Sequence, residues 1–345
     1  MAPSGAGLHP IHLRASLHET IWGGQNLARY AGKSVPPGAK VGESWETETG
    51  NQVINSPYQG RSLSDLVVEL GEPLLGTQAL EVFGPRFPLL AKFIDAQDKL
   101  SVQVHPADEY ARQHEGGKLG KTEAWYILHA DPGAALIHGL RRAVTHEEVR
   151  HAIADVTLES LLHEEQVQAG DVVFVPAGTV HAIGAGIVLY ELQEYSDVTY
   201  RQYDYGRLTA EGKPRELHVE KALDVMDYEP TPIHKVRPVV LNDQAGVSLH
   251  RCLVACRYFV LEELILQGAL KGITNRSSCQ ILSLLDGTCT LSTGRDEPLA
   301  LGKGDTVVLP AALGAYYLAG DACRLLRSYV PTSDDALLRR FWSAR

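Results

Sequence analysis

Two pairs of polar residues stand out in the segment SVQVHPADEYARQHEGGKLGKTEAWYIL, which runs from Ser101 to Leu128. In an extended strand, residues two apart share a face, so Gln103 and His105 point together and Lys121 and Glu123 point together. A core face cannot hold such groups unless they are paired or bound to something. A third candidate, His181, follows a Pro-Gly turn in VPAGTVHAI, where a strand re-enters a sheet. Imidazole and carboxylate groups arriving from separate strands are the donors of a metal site that keeps one position open for chemistry. The competing reading makes His105 a hydrogen-bonded histidine at a strand end before Pro106, and Glu123 the partner of an arginine. A nucleophilic mechanism is excluded because no Ser or Cys lies in an elbow-like context near these residues.

The elements that must position these groups read as mainly β. Short alternating runs punctuated by Gly and Pro predict strands at Trp125–Leu128, Ala135–Gly139, Asp171–Val175 and Ile187–Gln193. Helical patterns form islands: Ser62–Leu75 opens on a serine cap, and Thr145–Ile153 opens on a Thr145/Glu148 capping box. Ala169–Gly186 and Lys303–Gly320 share a frame of Gly-Asp, β formers, Pro, a small-residue turn and an exit strand, the mark of duplicated architecture. Near the place of His181 the second copy has only Gly314 or Ala315, so a site in the first copy has no counterpart there. Ala210–Pro232 mixes charges with turn formers and reads as a connector. A chain of 345 residues exceeds a typical single core, and the expected division is 1–230 and 231–345.

Composition sets further bounds. A formal charge of −10 argues against general affinity for nucleic acid or anionic membrane, while a local basic pocket for a phosphorylated small molecule remains allowed. The same charge disfavours single-stranded nucleic acid stacking on the tyrosines of TYRQYDYGR. No apolar run reaches the roughly 18 residues of a membrane span. Five cysteines without a CxxC pair read as reduced core residues of a cytoplasmic protein. The opening MAPSGAG reads as a disordered tail rather than a signal peptide. Trp45 and Trp125 read first as core.

The order Q-x-H, carboxylate, then G-D-x-x-x-x-P-x-G-x-x-H resembles the paired motifs of the cupin superfamily. Gln103 in place of the usual first histidine, and the insertion Pro106–Gly120, depart from the common cupin pattern. They match the type I mannose-6-phosphate isomerases, in their short bacterial form, which this chain resembles at IWGG, GESWE, KFIDAQDKLSVQVHP, GKTEAWYI, PAGTVHAIG and SDVTYRQYD. The match runs from about Ile21 to Tyr205 and more weakly beyond.

The resemblance implies a bicupin: two jelly rolls with small helical insertions, the metal only in the first. It implies one zinc held by Gln103, His105, Glu123 and His181, a set that leaves a net charge of about +1 facing an anionic substrate. It implies interconversion of mannose 6-phosphate and fructose 6-phosphate through an enediol by a monomer or homodimer. Arg201 falls at the family's position for an essential arginine, with a salt bridge to Asp197 or Asp204 as its bland alternative. Glu191 and Lys121 complete the catalytic candidates, with Glu191, His105 and Lys121 the rivals for the proton-transferring base. Pairing with Arg201 is the alternative role for Glu191. Two other readings remain: an iron-dependent cupin oxygenase, which would favour a more histidine-rich set, and a non-catalytic sugar-phosphate-binding protein.

Overall fold

The computed structural model describes residues 7–209, 212–241, 246–295 and 297–343. Three antiparallel sheets dominate it. A six-stranded sheet runs, edge to edge, through Ser16–Gly24, Val41–Trp45, Leu89–Ala96, Ile187–Glu194, Glu123–Ala130 and Val172–Val175. A five-stranded sheet runs through Tyr200–Tyr203, Val102–Val104, His181–Ile183, Ala135–Leu140 and Leu162–Gln166. The nine-stranded sheet collects the strands from Val239 to Tyr329, and its edge is Ile11–Leu13, paired with Thr306–Leu309.

Burial explains why some strands lack a polar alternation. Leu89–Ala96 and Ile187–Glu194 are buried at every position. One face of each turns toward the five-stranded sheet, where Ile94 and Leu189 join Trp125, Leu136 and Ile183. The other face carries Phe93 and Tyr190 into a core shared with Leu253, Phe259, Leu261 and Val308 of the nine-stranded sheet. Strands covered on both faces read as continuous apolar runs. Tyr126 and Tyr190 add hydrogen bonds across this second interface, to Glu263 at 2.9 Å and Ser283 at 3.2 Å.

Most expected elements form, with two differences. The expected helix Ser62–Leu75 is two helices, Leu63–Leu70 and Glu72–Leu75. The break falls at Gly71, whose φ of 50° lies in the left-handed region that glycine tolerates best. The capping box on Thr145 and Glu148 forms as read, and its helix is His146–Ala154. The expected connector Ala210–Pro232 contains the helix Val219–Val225, which packs on Tyr200–Tyr203, while Ala210 and Glu211 lie outside the described residues. Residues 1–6 of the expected tail also lie outside them. All five cysteines are buried thiols outside any disulfide.

The two repeated frames both fold as strand, turn, strand. The first splits between sheets, Val172–Val175 in one and His181–Ile183 in the other, whereas both strands of the second stay in the nine-stranded sheet.

Candidate metal centre and active site

Register builds one wall of the site. Arg201 lies opposite Gln103, Gln103 opposite His181, and His181 opposite His138, so four polar residues form a single rung across the five-stranded sheet. Directly opposed residues in antiparallel strands share a face. His105 lies two residues beyond Gln103 and is 1% exposed. The turn that delivers His181 is tied to it: the Gly178 N–H donates to the His105 carbonyl at 2.9 Å, with Gly178 at a φ of 92°.

The facing six-stranded sheet supplies the other wall. There Trp45, Lys92, Glu191 and Trp125 form a second rung, and Glu123 stands two residues before Trp125. The walls meet at Glu123. Its Oε1 is 3.3 Å from His181 Nε2, and its Oε2 is 3.6 Å from His105 Nε2. The Gln103 side-chain amide reaches the same point, with Nε2 3.3 Å from His181 Nε2. Oxygen and nitrogen of such an amide exchange by a half-turn, and the hydrogen-bonding surroundings decide which one faces the centre.

The donor chemistry fits a divalent cation. His105 Nδ1–H donates to the Val198 carbonyl at 2.9 Å and His181 Nδ1–H to the Thr179 carbonyl at 2.8 Å, which leaves both Nε2 lone pairs aimed at the centre. Burial pushes the His181 pKa down to about 4 and that of His105 well below its ordinary value, so both rings are neutral at physiological pH, as metal ligands must be. Both oxygens of Glu123 are buried and neither accepts a well-aligned hydrogen bond. Lys121 Nζ lies 2.7 Å from Oε2 as an ion pair and 3.2 Å from His105 Nε2, to which it donates. Lys121 thus balances the Oε2 side, while the buried Oε1 stands 3.3 Å from the His181 Nε2 lone pair with no donor of its own, a pairing that a divalent cation would complete. Among the described residues, His105, Glu123 and His181 are the one His/Cys/Asp/Glu trio close enough to share an ion.

Next to this trio lies a second polar cluster. Glu191 is 3% exposed; its Oε2 accepts a 2.9 Å hydrogen bond from Trp125 Nε1, and its Oε1 is 3.5 Å from Lys92 Nζ and 3.9 Å from Lys121 Nζ. Burial, and then the charge of Glu123, raise the Glu191 pKa against the pull of the two lysines. Burial alone would lower the pKa of Lys121, yet Glu123 and Glu191 hold it above its ordinary value. Such a set can exchange a proton with a substrate carbon while cations balance the charge.

All seven residues singled out in the sequence thus line the gap between the two sheets or the rung that borders it. The alternative partners do not form. Asp197 pairs with Lys118, Asp204 with Arg207 and Arg215, and Glu191 with Lys92 rather than Arg201. The Arg201 guanidinium instead donates to the Glu216 carbonyl at 2.7 Å and to Ser101 Oγ at 3.3 Å, and among the described residues no carboxylate pairs with it.

Sequence reasoning missed Lys92 and the polar role of the Trp125 N–H. Lys92 sits alone in LLAKFIDA, and a lysine inside a run buried at every position must meet an anion; here it meets Glu191 and, at 3.4 Å, Glu43. It also lies over the Trp45 ring, 4.6 Å from the centroid. Trp125 is buried as core, yet its N–H belongs to the polar cluster.

Residues 11–131 match the model for the catalytic domain of type I phosphomannose isomerases, and residues 250–330 match the mannose-6-phosphate isomerase cupin domain. The chain is 39% identical over 317 residues to mannose-6-phosphate isomerase ManA of Bacillus subtilis (strain 168), covering 91% of this chain and 96% of that protein. A crystal structure of the mannose 6-phosphate isomerase from Bacillus subtilis superposes with a TM-score of 0.81 at 34% identity, covering 92% of this chain and 99% of the other. A zinc-bound mannose 6-phosphate isomerase superposes with a TM-score of 0.75, covering 94% of this chain and all of its own, and at 17% identity it shares the fold alone.

Proposed function

Since the chain belongs to the type I mannose-6-phosphate isomerase family, we propose that it interconverts mannose 6-phosphate and fructose 6-phosphate through an enediol. Gln103, His105, Glu123 and His181 would hold one zinc ion, the metal carried by the zinc-bound isomerase of the same fold. Bound there, zinc supplies positive charge for the substrate oxygens on which charge develops. The observation that carries this reading is the buried trio itself, two neutral imidazoles whose Nε2 atoms lie 3.6 and 3.3 Å from the oxygens of the fully buried Glu123 carboxylate.

The reaction moves one proton between C2 and C1 of the sugar. Glu191 accepts it and returns it to the neighbouring carbon, and desolvation makes its carboxylate a stronger base than an exposed glutamate. Trp125 and Lys92 fix the carboxyl group in place through its two oxygens. Lys121, between Glu123 and Glu191, offers its ammonium to a substrate oxygen and is the rival base. Arg201, with a fork not engaged by a carboxylate, meets either the phosphate or the enediolate.

We also read 1–230 and 231–345 as two units, with the metal only in the first, in a cytoplasmic monomer or homodimer. Among the described residues no helix is long and apolar enough to cross a membrane.

A coupled assay for fructose 6-phosphate formed from mannose 6-phosphate, with glucose 6-phosphate as control and metal content measured on the same sample, tests the proposal. A fully zinc-loaded protein without turnover would leave a sugar-phosphate-binding role, and activity that required iron and oxygen would favour the oxygenase reading.

A further inference from the structure

A second cleft lies on the far side of the six-stranded sheet. Tyr126 follows Trp125 in its strand and points the opposite way, into a cavity of about 390 Å³ closed by Tyr30 and by Arg251, Arg324, Lys303 and Asp286 of the nine-stranded sheet and its turns. That volume lies within the range of sites for small molecules, roughly 300–1,000 Å³.

The charges in this cleft do not cancel. Glu263, fully buried at its base, accepts hydrogen bonds from Tyr126 Oη at 2.9 Å and from Arg251 Nε at 2.6 Å. Arg324 stands farther off, with Nε 3.6 Å from Glu263 Oε1 and Nη1 3.4 Å from Tyr126 Oη, and its side chain is 45% exposed. Lys303 and Asp286 lie 3.8 Å apart. Three cations therefore meet two carboxylates, a positive residue on a chain of net charge −10. Charge-assisted bonds close at about 2.7–2.9 Å. Arg324 and Lys303 keep donors near the mouth without committing them to such contacts.

We propose that this cleft binds a small phosphate monoester, separate from the isomerase substrate and on the opposite face of the strand Glu123–Ala130. The guanidinium fork of Arg324 and the ammonium of Lys303 take the dianionic oxygens, since a planar fork matches phosphate geometry and a lysine adds a point charge. Arg251 stays on Glu263 and keeps that carboxylate from opposing the anion. The polar lining, with Tyr30 beside it, accommodates the hydroxyl-bearing remainder of the ligand.

Equilibrium dialysis of the zinc-loaded full chain with inorganic phosphate tests this, in about 0.15 M chloride so that diffuse surface attraction is screened. The wild type is expected to bind one phosphate more per chain than Lys303→Gln/Arg324→Gln, and Lys303→Arg is expected to retain it. Arg201→Gln reads the substrate pocket independently, so a failure of that reading and of this one are distinguishable. If the double variant misfolds, Lys303→Gln alone should weaken the extra binding at least fivefold. Equal stoichiometry and affinity in wild type and folded variants would overturn the proposal, as would loss of the extra phosphate from the wild type in chloride.

Discussion

Trp125 and Glu191 sit directly opposite on neighbouring antiparallel strands, and the indole N–H donates a 2.9 Å hydrogen bond to the carboxyl group. An aromatic that reads as core is thereby the nearest neutral donor to the proposed base. It favours the ionised carboxylate, while burial and Glu123 favour the protonated one.

Trp125→Phe should keep the packing and remove that donor. Hydrogen bonds to charged groups contribute roughly 1.5–3 kcal/mol, so the acid limb of kcat/KM should move upward by about one pH unit or more. A pH–rate profile checks this, and an unmoved limb would separate Glu191 from the rate.

Glu191→Gln should preserve metal content and abolish exchange of the substrate C2 hydrogen with deuterated water. The total of exchange plus direct transfer is the quantity to compare, because part of the proton can be carried across without exchange. A general base contributes about 10²–10⁴-fold. Retention of more than about a tenth of the wild-type rate would make Glu191 an orienting group and move the search to Lys121 and His105.

His105→Ala and His181→Ala should each lose zinc and nearly all activity, since one missing ligand opens a four-ligand site. Stability should suffer less. Elemental analysis beside thermal denaturation checks both points; stoichiometric zinc with an unchanged rate would refute the ligand set.

Arg201→Lys keeps the charge and loses the fork. The expected loss is about 1.5–3 kcal/mol of transition-state stabilisation, on the order of ten- to a hundredfold in kcat/KM. A rise in KM alone assigns Arg201 to the phosphate, and a matching fall in kcat assigns it to the enediolate. An unchanged enzyme would leave it a structural role.

Glu194 offers a test of stability rather than rate. Burial, aided by Asp108, pushes its pKa up to about 8 from an ordinary 4.5, and its Oε2 has no hydrogen-bond partner. Below about 4.5 the group is protonated in both states and costs nothing. Between 4.5 and 8 the unfolded chain ionises while the folded one does not, so stability falls as pH rises. Glu194→Gln should therefore match the wild type near pH 4 and exceed it near pH 8 by about 1–3 kcal/mol. Denaturation at the two pH values measures the difference.

Part of the proposed site could be picked out because the two-residue period of a strand is local: Gln103 with His105, and Lys121 with Glu123, announce shared faces without any knowledge of partners. Their convergence was not legible from that period, because it depends on which sheet each strand joins. The family resemblance supplied that step. Lys92 illustrates the remainder. Its partners Glu43 and Glu191 lie on flanking strands far apart in sequence, and nothing near Lys92 encodes that register. The helix Val219–Val225 stayed hidden for a related reason: its buried face is short, just Ala222 and Leu223, and its flanks are rich in turn formers.

The strand Ile11–Leu13 has a consequence for how the chain assembles. It is synthesised roughly 290 residues before Thr306–Leu309, the strand it must cover. The growing chain therefore carries a strand with Gln52–Ile54 along one side of it and no partner on the other for most of translation, while the sheets between can already close. Until Ile11–Leu13 docks, Thr306–Leu309 is a bare edge, able to recruit the same segment from another molecule. Closure of that edge is thus the joining of an early segment to a late one, and crowding by other nascent copies is the condition under which that joining would go astray.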